Sequence, residues 1–258
     1  MFELYDENWF GNQILRPVTK DVGNIRIRPA TLEDLPHVAD ILAVAMLNEE
    51  VSAFLYPERQ RYFSHYRDSL LRRLKQQNVT PGWVLCVAVQ RENFRSTEDG
   101  EGLIVGYCAW ERIGQDKHAI KWRQPKGGFW NGKTLLGITE HYYNIFSLDK
   151  SLDKQRLADY NSGSMACFPF EKYRDLWYLE NVAVHPAYQH RGIGRLLVQW
   201  GMEHADIECV PVGLEARATV KGMKLWDELG FIPVNETETT CGNVRLRAML
   251  WDAIYLID

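Results

Sequence analysis

Apolar residues recur along the 258-residue chain at two periods, which together predict alternating strands and helices. Runs of strand type occupy residues 25–28, 83–89, 103–110, 178–184 and 212–216. Apolar residues at helical spacing occupy residues 35–45, 58–77, 193–200 and 220–229. The polar, glycine-containing segment 91–102 predicts the long loop of an antiparallel hairpin. The length and the order of these elements favour one enlarged α/β domain.

The helix over residues 58–77 combines an apolar, aromatic face with many basic residues. Such a helix could lie on a membrane, contact RNA, or pack on the core with a solvated basic face. The formal net charge of -4 at pH 7 gives no basic field to hold nucleic acid or an anionic membrane. We therefore expect a core-packed helix, whose buried face holds Tyr62, Phe63, Tyr66, Leu70 and Leu74.

The residues from Tyr178 to Arg195 read Y-L-E-N-V-A-V-H-P-A-Y-Q-H-R-G-I-G-R and predict a strand, a turn and the start of a helix. Pro186 lacks a backbone donor and ends the strand. A helix N-terminus presents unpaired N–H groups and the positive end of the helix dipole, and glycines let an anion approach. Gln189, Arg191 and Arg195 add donors and charge. The sequence therefore predicts a phosphate site, although neither the P-loop nor the dinucleotide motif matches it.

Gln189, Gly192 and Gly194, behind the strand residues 182–184, resemble the acetyl-CoA signature of the GNAT superfamily of N-acyltransferases. A second run, L-W-D-E-L-G-F at residues 225–231, is similar to the Leu-Tyr-x-x-x-Gly-Phe run that closes the next βα unit of that family. The resemblance implies an α/β fold with a mixed, mostly antiparallel central sheet flanked by helices. It assigns residues 1–24 to an N-terminal extension and residues 25–258 to the acetyltransferase domain.

Residues 112–176 form a long aromatic-rich insertion before the acetyl-CoA-binding strand, relative to the minimal plan of that family. Its rings could form a lid or a wall of the acceptor pocket, or they could pack the insertion onto the domain. The pattern predicts a turn at Gly127 and Gly128 and a short helix over residues 133–147.

The resemblance implies acetyl-CoA as the acyl donor. Backbone N–H groups of the turn would hold its pyrophosphate, and the preceding strand would pair with the pantetheine amides and polarise the thioester carbonyl. The residues assigned in this way to cofactor binding are Val182, Ala183, Val184, Gln189, His190, Arg191, Gly192, Ile193, Gly194 and Arg195.

The catalytic candidates are Glu180 and Tyr178. An acceptor amine is protonated at neutral pH, and releasing its lone pair costs roughly 4 to 5 kcal/mol for a lysine-like amine, so a general base is useful. Regular strand alternation would place Tyr178, Glu180 and Val184 on one face. Glu180 is the base candidate, and its alternative is a strand glutamate with a structural partner. His185 is a weaker candidate that could cap the turn.

Trp226 stands where the family usually has the tyrosine that protonates the leaving thiolate. An indole N–H donates a hydrogen bond but does not supply a proton usefully, so that role does not carry over. The thiolate could leave without an acid, Tyr178, Tyr188 or a tyrosine of the insertion could serve, or activity could be lost.

These observations predict an N-acetyltransferase that moves an acetyl group from acetyl-CoA to a primary amine of a small molecule or peptide. The alternatives are a catalytically silent acyl-CoA-binding or sensing module, and an acyltransferase with another acyl-CoA or a hydroxyl acceptor. The five cysteines are scattered without a C-x-x-C pair, which argues against a zinc site or a disulfide framework. We expect no metal, no nucleic-acid or membrane partner, a monomer or homodimer, and a cytoplasmic or nuclear location.

Overall fold

The computed structural model describes residues 20–91, 102–124, 149–234, 238–241 and 244–252. The strands within these ranges are β1 (Lys20–Val22), β2 (Ile25–Pro29), β3 (Trp83–Gln90), β4 (Leu103–Ile113), β5 (Leu176–Val184), β6 (Val212–Arg217), β7 (Ile232–Pro233), β8 (Thr239–Cys241) and β9 (Val244–Trp251). The helices are α1 (Leu35–Ala45), α2 (Glu50–Leu55), α3 (Phe63–Val79), α4 (Lys117–Trp122), α5 (Lys154–Cys167), α6 (Ile193–Glu208) and α7 (Val220–Glu228). A 3₁₀ turn spans Pro186–Tyr188.

The strands form one sheet in the order β1-β2-β3-β4-β5-β6-β9-β7, with β8 paired to β9. Among the described strands, every pairing is antiparallel except that between β5 and β6. A parallel neighbour requires a crossover connection, and α6 provides it between these two strands. The predicted mixed, mostly antiparallel sheet flanked by helices is therefore confirmed.

Helices cover both faces of the sheet. One face carries α6, whose Ile193, Leu197 and Trp200 are buried against the sheet. The other face carries α1 and α3, through residues such as Leu42 and Leu74. The two faces together supply the core that a domain of this size needs.

Several predicted elements are confirmed, with boundaries that move by a few residues. The hairpin of β3 and β4 is antiparallel, and Gly230 (φ +83°) follows the end of α7. In α3, Tyr66, Leu70 and Leu74 are buried as expected, whereas Phe63 is 39% exposed. The short helix α2 was not predicted.

The predicted insertion is described only in part, because residues 125–148 lie outside the described ranges. The predicted turn and the helix over residues 133–147 fall there. The aromatic residues of the insertion that are described pack on the domain: Trp122 contacts the Trp177 ring, and Phe168 and Phe170 contact the Tyr178 ring.

A buried polar cluster contacts the N-terminal end of β5, at Trp177. Glu208, the last residue of α6, accepts hydrogen bonds from Arg112 Nε (2.6 Å), Trp122 Nε1 (2.7 Å) and Trp177 Nε1 (3.1 Å). His204 stacks near these rings, and burial lowers its pKa, so it stays neutral near pH 7. The cluster joins β4, α4, β5 and α6 through one carboxylate.

Replacing Gly201 in the middle of α6 by Ala should destabilise the fold. A Cβ at this position would lie 2.2 Å from Cζ2 of Trp110, whose indole is fully buried in the sheet. Overpacking of this kind typically costs about 1–3 kcal/mol. Urea unfolding followed by tryptophan fluorescence would measure the loss.

Gly194→Ala is the matched control, because the nearest atom to a Cβ there is 3.9 Å away and the residue is also helical. It should leave the unfolding free energy unchanged or slightly raised. Equal changes in unfolding free energy for the two substitutions would show that the close contact between Gly201 and Trp110 leaves room for a methyl group.

Candidate active site

A β-bulge in the middle of β5 creates the candidate site. In the register with β4, Asn181 faces Ala109 and Leu179 faces Trp110, so Glu180 is an extra residue without a partner across the ladder. Beside β6, β5 pairs only from Trp177 to Leu179. The edge of residues 180–184 that faces β6 therefore pairs with no strand within the described ranges, and the two strands separate beyond that point.

The bulge corrects the prediction that Tyr178, Glu180 and Val184 share one face. Tyr178 packs with Phe168 and Leu246 on the side of α5, whereas Val184 packs with the residues of α6 on the opposite side. Regular alternation fails because the extra residue reverses the side of every residue that follows it.

A cleft of about 940 Å³ opens where β5 and β6 separate. Its walls come from both strands and from α1, α2, α3, α5 and α7. Glu180 and the strand residues 182–184 line the cleft, and it reaches Gln189 at the end of the 3₁₀ turn. It therefore runs from the start of the α6 turn, past the unpaired strand edge, to the side where α3 and α5 lie.

The backbone N–H groups of residues 190–195, here called the amide row, lie directly after the Gln189 end of the cleft. Gly192 is the N-cap of α6, and no side chain caps the helix. Leu196 is the first residue whose N–H donates into the helix, to the Gly192 carbonyl (3.1 Å). Among the described residues, no acceptor takes a hydrogen bond from the amide row. These donors, at the positive end of the α6 dipole, are suited to an anion.

The backbone of this turn has the conformation that such a site needs. His190 (φ +61°) and Gly192 (φ +80°) are both left-handed, which curls the chain before α6 begins. A Cβ at Gly192 would meet nothing within 4 Å, so the space in front of the turn is open. The absence of a side chain keeps the backbone approachable.

The side chains predicted to add charge have partners of their own. Gln189 Nε2 donates to the Val184 carbonyl (3.0 Å), and Arg191 lies over the Tyr188 ring. Arg195 forms an ion pair with Glu228 of α7. The unused hydrogen-bond donors of this turn are therefore the backbone N–H groups of the amide row rather than these side chains.

Glu180 forms an ion pair with Arg73, which projects from α3. The Glu180 side chain is 26% exposed and that of Arg73 is 48% exposed, so water reaches both from the cleft. This partner corrects the expectation that the basic residues of α3 form only a solvated face. Arg72 departs from it too, because it pairs with the buried carboxylate of Asp149 (2.8 Å).

Tyr178 lines the cleft but is only 7% exposed. Burial raises its pKa well above the usual value for tyrosine, and the nearby carboxylates of Glu215 and Glu180 add to the shift. Tyr178 therefore remains protonated at neutral pH and is able to donate a hydrogen bond, but its raised pKa makes it a weak acid, and it does not act as a base.

Two other candidates from the sequence take different places. His185 Nδ1 accepts a hydrogen bond from the Ala187 N–H (3.2 Å), which is the capping arrangement that was its alternative. Trp226 lines the cleft, and its ring packs edge-on against Phe231 at 5.6 Å.

The comparisons with known proteins agree with this geometry. Residues 152–233, which include β5, the amide row and α7, match the family model described as acetyltransferase (GNAT) domain. This match spans 82 of the 258 residues and includes both motifs that resemble the GNAT family. The predicted resemblance is therefore confirmed. No curated protein sequence matches the chain.

Solved structures resemble this chain at low sequence identity. A Corynebacterium glutamicum protein described as histone acetyltransferase HPA2 and related acetyltransferase is 21% identical, with a TM-score of 0.50 over 87% of this chain and 93% of that chain. PH1933 from Pyrococcus horikoshii is 14% identical, with a TM-score of 0.48 over 88% and 98% of the two chains. The yncA protein from Salmonella typhimurium, solved with acetyl-CoA, is 14% identical, with a TM-score of 0.48 over 89% and 94%.

Sequence reasoning missed several residues that reach the cleft from other elements. Arg73 comes from α3, Glu49 precedes α2, and Glu215 and Arg217 come from β6. Near them, burial and the Glu180 charge raise the pKa of Glu111 on β4. No motif marks these positions, because their elements meet only in the folded chain.

Within the described ranges, no cluster of three His, Cys, Asp or Glu side chains is arranged to hold a metal ion. Of the helices that the structure describes, none is long and apolar enough to cross a membrane.

Proposed function

We propose that this protein transfers an acetyl group from acetyl-CoA to a primary amine of a small molecule or peptide. The observation that carries the proposal is the continuity of the cleft. One opening passes from Gln189, the residue directly before the amide row, along the unpaired edge of residues 180–184, to Glu180. A phosphate site, a strand edge and a carboxylate in this order are what a long acyl-CoA and an amine require.

The residues of the chain fit acetyl-CoA at both ends of this path. The amide row would hold the pyrophosphate through its donors, and the left-handed Gly192 leaves room for it. The unpaired edge near Val182 and Val184 would pair with the pantetheine amides. Bound there, acetyl-CoA would supply an acyl group that is already activated as a thioester.

Glu180 is the proposed base. It would accept a proton from the acceptor ammonium, directly or through a water molecule, and pass it to solvent along the open cleft. The new N–C bond forms as the C–S bond breaks, so the products are the N-acetylated amine, the CoA thiol and one proton. Tyr178, which burial keeps protonated, would donate a hydrogen bond in the cleft.

A silent acyl-CoA-binding module is the second candidate, and two observations favour it. Trp226 occupies the usual position of the acid, and Glu180 is held by Arg73. A free-thiol assay with acetyl-CoA and a panel of primary amines separates the candidates. CoA release that depends on the amine supports the transferase, whereas binding without release across the panel supports the module.

Substituting Gly192 tests the placement of the phosphate. Gly192→Asp would put a negative charge in front of the amide row, so acetyl-CoA should bind at least about tenfold more weakly, from repulsion of about 1.4 kcal/mol or more. Calorimetric titration with CoA would measure the change.

Gly192→Asn is the matched control, because Asn has the same shape, is neutral, and tolerates the left-handed backbone. The Asn variant should bind CoA more tightly than the Asp variant and should recover most of the tenfold loss in affinity. Equal affinities of the two variants would place the pyrophosphate elsewhere.

A further inference from the structure

The acceptor side of the cleft is lined by ion pairs rather than by charge of one sign. Arg73 pairs with Glu180, Arg72 with Asp149, and Arg217 with Glu49. The Arg73–Glu180 pair is more accessible to solvent than the Arg72–Asp149 pair, because the Arg73 side chain is 48% exposed and the Arg72 side chain only 22%. Asp149 is additionally fixed by Ser151, whose hydroxyl donates to it at 2.6 Å.

The need to keep each charged group in this cleft paired with a counter-ion restricts the chemical class of the acceptor. An ammonium that takes the place of Arg73 on Glu180 leaves a guanidinium in the cleft without its counter-ion. Tyr56, Tyr107 and Tyr160 lie within electrostatic range of Arg73, but a phenol does not replace a carboxylate as its counter-ion. A ligand that carries its own anion restores the balance, whereas a simple cation does not.

Resting on the function proposed above, we propose that the acceptor is a small amino carboxylate. Its ammonium contacts Glu180, and its carboxylate contacts Arg73. Because Glu180 and Arg73 touch each other, the two charges of the ligand must lie only a few bonds apart, as in an α- or β-amino acid. The planar guanidinium binds a carboxylate through two parallel hydrogen bonds, which a lysine in its place could not do. Arg73 is therefore the residue that determines specificity.

The direct test compares acceptors that differ only in the carboxylate. The probes are the common L-amino acids, their carboxamides and the corresponding decarboxylated amines, each assayed for CoA release with acetyl-CoA. We expect the preferred amino acid to exceed its carboxamide and its amine by about 10- to 100-fold in kcat/KM, which is the usual value of a charged hydrogen bond. Arg73→Gln should remove most of this ratio, and Arg73→Lys should restore it only in part.

Arg67→Gln is the matched control. Arg67 lies on the same helix and pairs with Asp40, and neither residue lines the cleft. It should leave the ratio unchanged. Because the ratio compares two ligands on the same variant, a loss of stability alone does not alter it.

The outcomes separate the two proposals. Turnover of decarboxylated amines as fast as of amino acids would overturn the inference and leave the transferase standing. If no amine is turned over although acetyl-CoA binds, the proposed reaction is wrong. In that case calorimetry of amino acids and carboxamides with the CoA-saturated protein still tests the role of Arg73. Tighter binding of the amino acid than of its carboxamide, lost in Arg73→Gln, would support carboxylate recognition by Arg73. Equal binding of the two ligands would refute it.

Discussion

Glu180→Gln should lower kcat for acetyl transfer by about 10²- to 10⁴-fold, which is the usual contribution of a general base. Gln has the shape of Glu and still accepts a hydrogen bond from Arg73, but it does not take a proton at neutral pH. The amide row lies at the other end of the cleft. The Kd for acetyl-CoA should therefore stay unchanged, and the loss should fall on kcat.

The pH dependence distinguishes a lost base from a distorted site. Without Glu180, only the fraction of amine that is already deprotonated in solution reacts. The rate of the variant should then rise about tenfold per pH unit towards the pKa of the acceptor amine. A uniform loss at all pH values would instead indicate misplacement of the acceptor.

Glu50→Gln is the control for this experiment, since Glu50 is exposed in the first turn of α2 and does not line the cleft. It should behave as the wild type. If Glu180→Gln kept the wild-type rate, Glu180 would be a strand residue paired with Arg73 for structural reasons, which was its alternative from the sequence.

The local elements of the fold were predictable because each is set by a short pattern. The spacing of Ile193, Leu197 and Trp200 specifies the buried face of α6, and all three are buried as predicted. The turn before α6 was predictable for the same reason: Pro186 and Gly192 restrict or free the backbone at fixed positions, and the structure places a 3₁₀ turn and an N-cap there.

The bulge at Glu180 was not predictable from its surroundings. The run L-E-N-V reads as an ordinary strand, and only pairing with Ala109 and Trp110 shows that one residue is extra. Arg73 was missed for a related reason. A basic residue on an amphipathic helix is usually solvated, and only the position of α3 relative to β5 brings it to Glu180. The acceptor side of the site is thus a property of tertiary contacts between distant segments.

The same dependence on distant contacts makes the fold sensitive to the loss of a single partner in the Glu208 cluster. Arg112 is completely buried, and Glu208 is 5% exposed. Removing one partner of a buried ion pair typically costs about 3–5 kcal/mol, because the other charge stays buried. Arg112 keeps its contact with Asp116, so we expect Glu208→Ala to lose about 3 kcal/mol of unfolding free energy.

Glu208→Gln should cost less, since the amide oxygen still accepts a hydrogen bond from one indole. Glu203→Ala is the control, because it makes the same Glu-to-Ala replacement at an exposed position of the same helix. It should have little effect on the unfolding free energy. Urea unfolding of the three variants would give this order. A loss at Glu208→Ala no larger than at Glu203→Ala would contradict the assignment.

The cluster also bears on the site through Trp177, which lies three residues before Glu180 on β5. Trp177 is held at one end of the segment where β5 and β6 still pair, and the bulge follows at the other. If the cluster fixes where the two strands separate, Glu208→Gln should weaken CoA binding even where the variant remains fully folded. Calorimetric titration well below the unfolding midpoint would measure this, and an unchanged Kd would show that the bulge alone sets the opening of the cleft.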